Sequence, residues 1–340
     1  MAGYKVAVVG VGAVGEEMIK VLRLRSFPIS ELRVLARSAR KQVLDGREFD
    51  IQPTTIEALD GIDFAFFAGT EGERGASQTF GWEAVERGAI VVDNGDDFRM
   101  DPRVPLVVPE VNPEALENHQ GFVSNPNCST IQMVVALAPL HRAAGLKRVV
   151  VSSYQSVSGT GNAAIKELDA QAKAYATGGQ MEINEYPYQI FGNVIPQISR
   201  LRDEFPGYYG EEIKMIKEPR KIFNIPDLAV SATCVRVPVF KGHSEAVNVE
   251  LQKPLSADEA LEALRNAPGI VVIDEPENSK YPMPLFAANE DPVYVGRIRQ
   301  DTSAPNCIDM WVVSDNIRKG AALNAVQIAE EIIKRNLTRK

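Results

Sequence analysis

The amino-acid sequence predicts an α/β protein of two domains, and three observations carry that reading. Through the first third of the chain, short β-branched or aromatic runs alternate with helix-spaced apolar residues, the pattern of a parallel sheet covered on both faces. From about residue 146, strand-like runs follow one another with fewer helices between them, which calls for a mixed or antiparallel sheet in an α+β domain. The length of 340 residues suits two cores rather than one, at roughly 100–200 residues per domain.

Taken in order, residues 4–9 read as a strand ending on glycines, and 16–25 as a helix through Met18, Ile19, Val21 and Leu22. Strands follow at 32–36, 63–68 and 89–93, with a helix over 75–87 before the last of these. Residues 131–144 read as an apolar helix. Beyond it, 147–153, 229–238, 244–251, 293–298 and 307–314 read as strands. Residues 320–340 return to helical spacing through Leu323, Val326, Ile328, Ile332 and Ile333, and are expected to pack back on the first domain. The expected division is therefore 1–127 with the returning helix 320–340, and 128–319.

Composition removes several classes of function. With 45 acidic against 37 basic side chains, a net charge of −8 and no Lys/Arg block, nothing attracts a nucleic-acid backbone. A hydrophobic content of 45% argues against disorder. No run reaches the roughly 18 apolar residues of a membrane helix, so no membrane partner is expected. Residues 6–14 make a poor signal peptide, because Glu16 and Glu17 follow at once and glycines interrupt the run. Three cysteines, an odd number, form no disulfide framework and suit a reducing compartment, the cytoplasm.

Gly10-Val11-Gly12-Ala13-Val14-Gly15 matches G-x-G-x-x-G between the first strand and the first helix. Glycines there let the backbone turn tightly and approach a pyrophosphate, which then sits on the helix N-terminus. The first domain is therefore expected to be a Rossmann-like dinucleotide-binding domain; the plainer alternative is a glycine-rich turn with no ligand. Where NAD-preferring sites carry an acidic residue after the second strand, this chain has Arg37, Ser38 and Arg40. Two guanidiniums and a hydroxyl favour the 2′-phosphate of NADP, against the alternative of a solvated basic turn.

Cys128 sits in the turn-forming cluster 124–130, directly ahead of the apolar helix. Unpaired backbone N–H groups and the positive end of the macrodipole favour a thiolate at such a position. Cys234 and Cys307 lie in apolar runs and read as packing. His119 and His141 fall in a turn and a helix without convergent Cys, Asp or Glu, so both read as structural and no metal site is expected.

Six segments together resemble the aspartate-β-semialdehyde dehydrogenases, within the broader group of phosphorylating aldehyde dehydrogenases. They are 124–132 (SNPNCSTIQ), 154–161 (YQSVSGTG), 193–199 (NVIPQIS), 211–218 (EEIKMIKE), 236–247 (RVPVFKGHSEAV) and 315–325 (DNIRKGAALNA). The likeness runs over essentially the whole chain. It implies an enzyme that reduces L-aspartyl 4-phosphate to L-aspartate 4-semialdehyde and phosphate with NADPH, on the route to lysine, threonine and methionine. Cys128 would attack the acyl phosphate to form a thioester, and His243 would serve as acid and base. Gln155 would orient the substrate, Arg236 would bind its carboxylate with a planar fork, and Glu211 its ammonium. Arg99 and Lys214 would hold the phosphate, while Ser158, Gly159 and Asn316 would line the nicotinamide side.

The family also implies a catalytic and dimerisation role for the second domain, with a homodimer or homotetramer. The glycine turn is one residue shorter than the G-x-x-G-x-x-G common in bacterial members. Asp96 and Asp97 precede Arg99, and a carboxylate repels phosphate, so at least one is expected to point away. Two alternatives stand beside this function: N-acetyl-glutamyl-phosphate reduction, against which Glu211 argues because an acylated nitrogen carries no charge, and a non-catalytic NADP-binding sensor.

Overall fold

A computed structural model describes residues 3–69 and 75–338. The chain divides into two compact units, Met1–Asn127 with Gly320–Lys340, and Cys128–Lys319. In the first unit, β1 (Tyr4–Val9) leads through the glycine turn into α1 (Ala13–Leu24) and β2 (Ile29–Ala36). β3 (Arg40–Leu44) and β4 (Arg47–Pro53) follow, then β5 (Phe64–Phe67), α2 (Ala76–Glu86), β6 (Ile90–Asp93) and β7 (Phe122–Ser124). The sheet order is β3-β4-β2-β1-β5-β6-β7, parallel throughout except for the β3–β4 pair.

The β3–β4 hairpin is not among the strands read from the sequence. Its two-residue turn, Asp45-Gly46, has positive φ at both positions, 48° and 72°, as the tight turns that match strand twist require. Arg40 is consequently a strand residue.

The second unit begins with α3 (Cys128–Ala144) and β8 (Leu146–Gln155), followed by α4 (Asn162–Thr177) and α5 (Gly210–Ile222). Then come β9 (Ala229–Arg236), β10 (His243–Leu251), α6 (Ala257–Arg265), β11 (Ile270–Val272), α7 (Pro284–Ala287), β12 (Val293–Gln300) and β13 (Cys307–Ser314). Its sheet, ordered β11-β12-β13-β10-β8-β9, is mixed: β8 pairs antiparallel with β10 and parallel with β9. One face is covered by α3, α5 and α6. The other leaves Ser152, Tyr154, Ala246, Asn248 and Trp311 partly exposed, with the rings of Tyr154 and Trp311 5.4 Å apart.

The chain then returns to the first unit through a π-helical turn, Arg318–Ala322, and α8 (Leu323–Lys334). The helix expected over 320–340 is thus shorter at both ends, and residues 339 and 340 lie outside the described residues. Its C-terminal stop is physical: Asn336 turns left-handed at φ 57°, which ends the helical ladder.

Strand alternation explains the two-sided core of the first unit. Val6, Val8, Phe64 and Phe66 face a cluster that includes Met18 and Leu22 of α1 and Val326, Ile328 and Ile332 of α8. Ala7, Val9, Ala65 and Phe67 face the opposite cluster with Ala84 and Val85 of α2. Each large side chain so buried stabilises the fold by about 1.5–3 kcal/mol.

Candidate active site

The glycine turn in the first unit has the geometry of a nucleotide cradle. Gly10 adopts φ +104°, and a Cβ on Gly15 would stand 1.9 Å from the Gly10 carbonyl oxygen. These two glycines let the first turn of α1, with Ala13 and Val14, press against the end of β1. Among the described residues nothing lies within 4 Å of a Cβ at Gly12. A cavity of about 400 Å³ is lined here by Gly10, Gly12, Arg37, Ser38, Arg40 and Thr54 among others. It lies beside the C-terminal ends of β1 and β2, the place where α/β sheets bind nucleotides. Ser38 and the Arg40 guanidinium touch, with Nη1 of Arg40 donating to the Ser38 carbonyl at 3.1 Å. These residues fit a dinucleotide with a 2′-phosphate.

Arg99, also in the first unit, is buried and donates to the carbonyl oxygens of Asn125 at 3.0 Å and Asn94 at 2.7 Å. Asp97 accepts from the Ser77 hydroxyl. Asn125 is held in turn by Asn324 of α8, whose Nδ2 donates to its Oδ1 at 2.7 Å. Asn324 is a residue the sequence reading passed over, although a polar side chain within the apolar spacing of α8 is the signal that marks it.

The second unit gathers most of the remaining residues on the helix-covered side of its sheet. Cys128 is half-buried and is the first residue of α3, a helix packed on α5, β8, β10 and β13. Gln155 closes β8 and donates to Glu211 of α5 at 3.2 Å and to Ser153 at 3.2 Å. Glu211 is buried, with Lys214 one turn further along at 3.8 Å. Arg236 closes β9, adjacent in register to Gln155; its Nη1 donates to the Ser156 carbonyl at 2.6 Å, while its Nε is buried with no hydrogen-bond partner.

His243 opens β10 and is fully buried. The Ser156 backbone N–H donates to its Nδ1 at 3.0 Å. A backbone donor on Nδ1 fixes the neutral tautomer that carries its proton on Nε2, and Nε2 is buried with no partner. Burial, and next the Arg236 guanidinium, push the imidazole well below its usual 6.5.

Gly159 lies against both groups: a Cβ there would come within 3.0 Å of Arg236 Nη1 and 3.2 Å of His243 Nε2. Asn316 Oδ1 accepts from the Ser156 and Ser158 hydroxyls and from the Gly242 N–H, at 3.1, 3.0 and 3.0 Å. Ser156 was therefore missed as the hub of this network; its only sequence signal is its place beside Gln155.

Cys234 and Cys307 are buried, and burial raises both thiols. Among the described residues no three or more His, Cys, Asp or Glu side chains cluster as a metal site, and no helix is long and apolar enough to cross a membrane.

Residues 5–119 match the semialdehyde dehydrogenase NAD binding domain family, and residues 137–319 the semialdehyde dehydrogenase dimerisation domain family. The chain is 49% identical to the aspartate-semialdehyde dehydrogenase of Aquifex aeolicus, over 98% of this chain and 99% of that one. It superposes on a crystal structure of Vibrio cholerae aspartate semialdehyde dehydrogenase II complexed with ASA, with a TM-score of 0.91, 43% identity and coverage of 98% and 99%. A Candida albicans aspartate semialdehyde dehydrogenase with NADP is more distant, at TM-score 0.75, 26% identity and coverage of 98% and 99%.

Proposed function

The chain belongs to the aspartate-semialdehyde dehydrogenase family, and from that premise we propose that it catalyses the NADPH-dependent reductive dephosphorylation of L-aspartyl 4-phosphate to L-aspartate 4-semialdehyde and phosphate. The observation that carries this reading is the buried set in the second unit, where Gln155 bonds Glu211 and Arg236 borders His243 beneath Gly159.

Cys128 attacks the acyl carbon from the head of α3, phosphate leaves, and a thioester to Sγ remains. Arg236 binds the substrate carboxylate, to which its unpaired Nε is available. Glu211 meets the ammonium, which favours an aspartyl over an N-acylated substrate. Gln155 sets the orientation. Lys214 of the second unit offers the phosphate a cation, the role proposed separately for Arg99 of the first unit.

His243 acts from Nε2–H, donating to the oxygen at the tetrahedral carbon. The neutral tautomer supports the hydrogen-bond-donor part of the acid/base role expected from sequence: with imidazolium disfavoured, Nε2–H stabilises that oxygen without giving up its proton. In the first unit, Gly10, Gly12 and the N-terminus of α1 would hold the pyrophosphate and Arg37, Ser38 and Arg40 the 2′-phosphate; in the second unit, Ser158, Gly159 and Asn316 are the residues we assign to the nicotinamide end. The bound cofactor would supply the hydride that reduces the acyl carbon; the bond to Sγ then breaks, releasing the aldehyde and returning the Cys128 thiolate. The Candida albicans relative with NADP supports that cofactor.

The enzyme is an oxidoreductase of amino-acid biosynthesis, and we assign it to the cytoplasmic route to lysine, threonine and methionine. The partly exposed sheet face around Tyr154 and Trp311 suits a second copy of the chain in a homodimer, with a homotetramer as its doubled form.

The test is an assay with aspartate semialdehyde, NADP and inorganic phosphate, following NADPH absorbance. Phosphate-dependent reduction of NADP is expected; its absence overturns the assignment. Running NAD beside NADP tests Arg37 and Arg40.

A further inference from the structure

Glu245 has no part in the chemistry above, yet it is fully buried and both its carboxyl oxygens lack a hydrogen-bond partner. It lies two residues after His243 on β10, on the same face, opposite Ser153 of β8 and Val312 of β13. Three polar groups face it: Glu211 of α5, Gln132 of α3 and the buried Cys234 thiol of β9. No cation contacts it among the described residues.

Gln132 stands one helical turn after Cys128. Its Oε1 accepts from the Ser314 hydroxyl at 2.7 Å, while its Nε2 is buried without a partner. Gln132 thus presents its amide N–H to the Glu245 carboxyl across the α3–β10 packing, a donor that pulls the carboxyl down while burial pushes it up. A lone carboxylate in such a place is very costly, and Glu211 repels a second negative charge. Either form of the carboxyl can accept from Nε2–H, so that contact does not choose between them; the cost of a lone buried charge does, and it favours the protonated acid. The upward pressure of burial on this carboxyl agrees.

We propose that Glu245 is a permanently neutral carboxylic acid that acts as a positioning residue, fixing Gln132 and through it the first turn of α3 that carries Cys128. Neutrality also leaves Glu211 as the anion available to the substrate ammonium. The proposal rests on the reading of Cys128 as the nucleophile, but its protonation state is observable without that reading.

The experiment has two arms on the full-length protein. Infrared difference spectra between the parent and Glu245→Gln at mildly alkaline pH should show the C=O stretch of a protonated carboxyl, lost in the variant. Its absence in the parent overturns the proposal whatever the enzyme catalyses. In the second arm, iodoacetamide alkylation of Cys128 is followed. Glu245→Leu should slow it by at least about tenfold through misplacement of the helix start, and Glu245→Gln, which keeps a neutral polar group, should restore it to within about twofold. If folded Glu245→Leu reacts as fast as the parent, or if Glu245→Gln is as slow as Glu245→Leu, Glu245 does not position the nucleophile. Should Glu245→Leu fail to fold, the infrared band and the Glu245→Gln rate still decide.

Discussion

The Ser156 backbone N–H donates to Nδ1 of His243 at 3.0 Å, and this bond decides what the histidine can do. A main-chain N–H cannot turn away, so a proton on Nδ1 would face another donor. Imidazolium is disfavoured from that side as well as by burial and by Arg236.

The first prediction concerns pH. Because the folded-state value lies below the usual 6.5, the unfolded chain takes up its proton first as pH falls, and stability is lost below the ordinary imidazole range. The kcat/KM profile should accordingly show no protonation limb near the ordinary imidazole value. A limb there that vanishes in His243→Asn would contradict the tautomer. Removing the ring in His243→Ala should lower kcat by roughly 10²–10⁴-fold.

Arg236 provides a second prediction. Its Nη1 is committed to the Ser156 carbonyl at 2.6 Å while Nε is buried and unpaired. Lysine supplies one donor cluster and no fork, so Arg236→Lys should raise KM for aspartate semialdehyde roughly ten- to hundredfold, with a smaller change in kcat. Steady-state kinetics that leave KM unmoved would remove Arg236 from the carboxylate site.

The glycine turn separates packing from ligand approach. In Gly15→Ala the new methyl would meet the Gly10 carbonyl at 1.9 Å, so helix and strand must part. A lowered Tm and loss of NADPH binding by fluorescence titration are expected together. At Gly12 nothing among the described residues lies within 4 Å, so Gly12→Ala should keep Tm and weaken only the cofactor. A Gly12→Ala protein that binds NADPH like the parent would place the pyrophosphate elsewhere.

Asp93 gives a stability signature. Burial pushes its carboxyl up to about 7, against the pull of the Gly95 N–H and Arg99. The folded state then holds a proton that the unfolded chain releases near 3.8. Its contribution to stability is complete at low pH and declines as pH rises through the interval, by an amount on the order of a few kcal/mol. Urea unfolding of Asp93→Asn should show that decline flattened between the ordinary carboxylate range and neutral pH. An unchanged slope would mean that Asp93 is ionised throughout.

Much of this fold is legible in the chain because its signals are local. Tyr4–Val9 and Cys307–Ser314 are β-branched or apolar runs with clear ends, and they form strands with those bounds. The β3–β4 hairpin carried a signal too, Asp45-Gly46, but its strands are polar and mostly exposed, so hydrophobic alternation was silent there. The candidate site divides similarly. Motif residues such as Cys128 and His243 stand out by type and neighbourhood. The groups that orient them do not: Ser156 acts on His243 from 87 positions away, and Asn324 reaches Asn125 across 199. Such pairings are set by sheet register and helix return, which no local window contains.

The central claim is that Cys128 carries the acyl group, and intact-protein and peptide mass spectrometry tests it most directly. With aspartate semialdehyde and NADP but no phosphate, the enzyme should gain one aspartyl group on the peptide containing Cys128, and added phosphate should remove it. No adduct, an adduct on another residue, or undiminished turnover in Cys128→Ala would contradict the account.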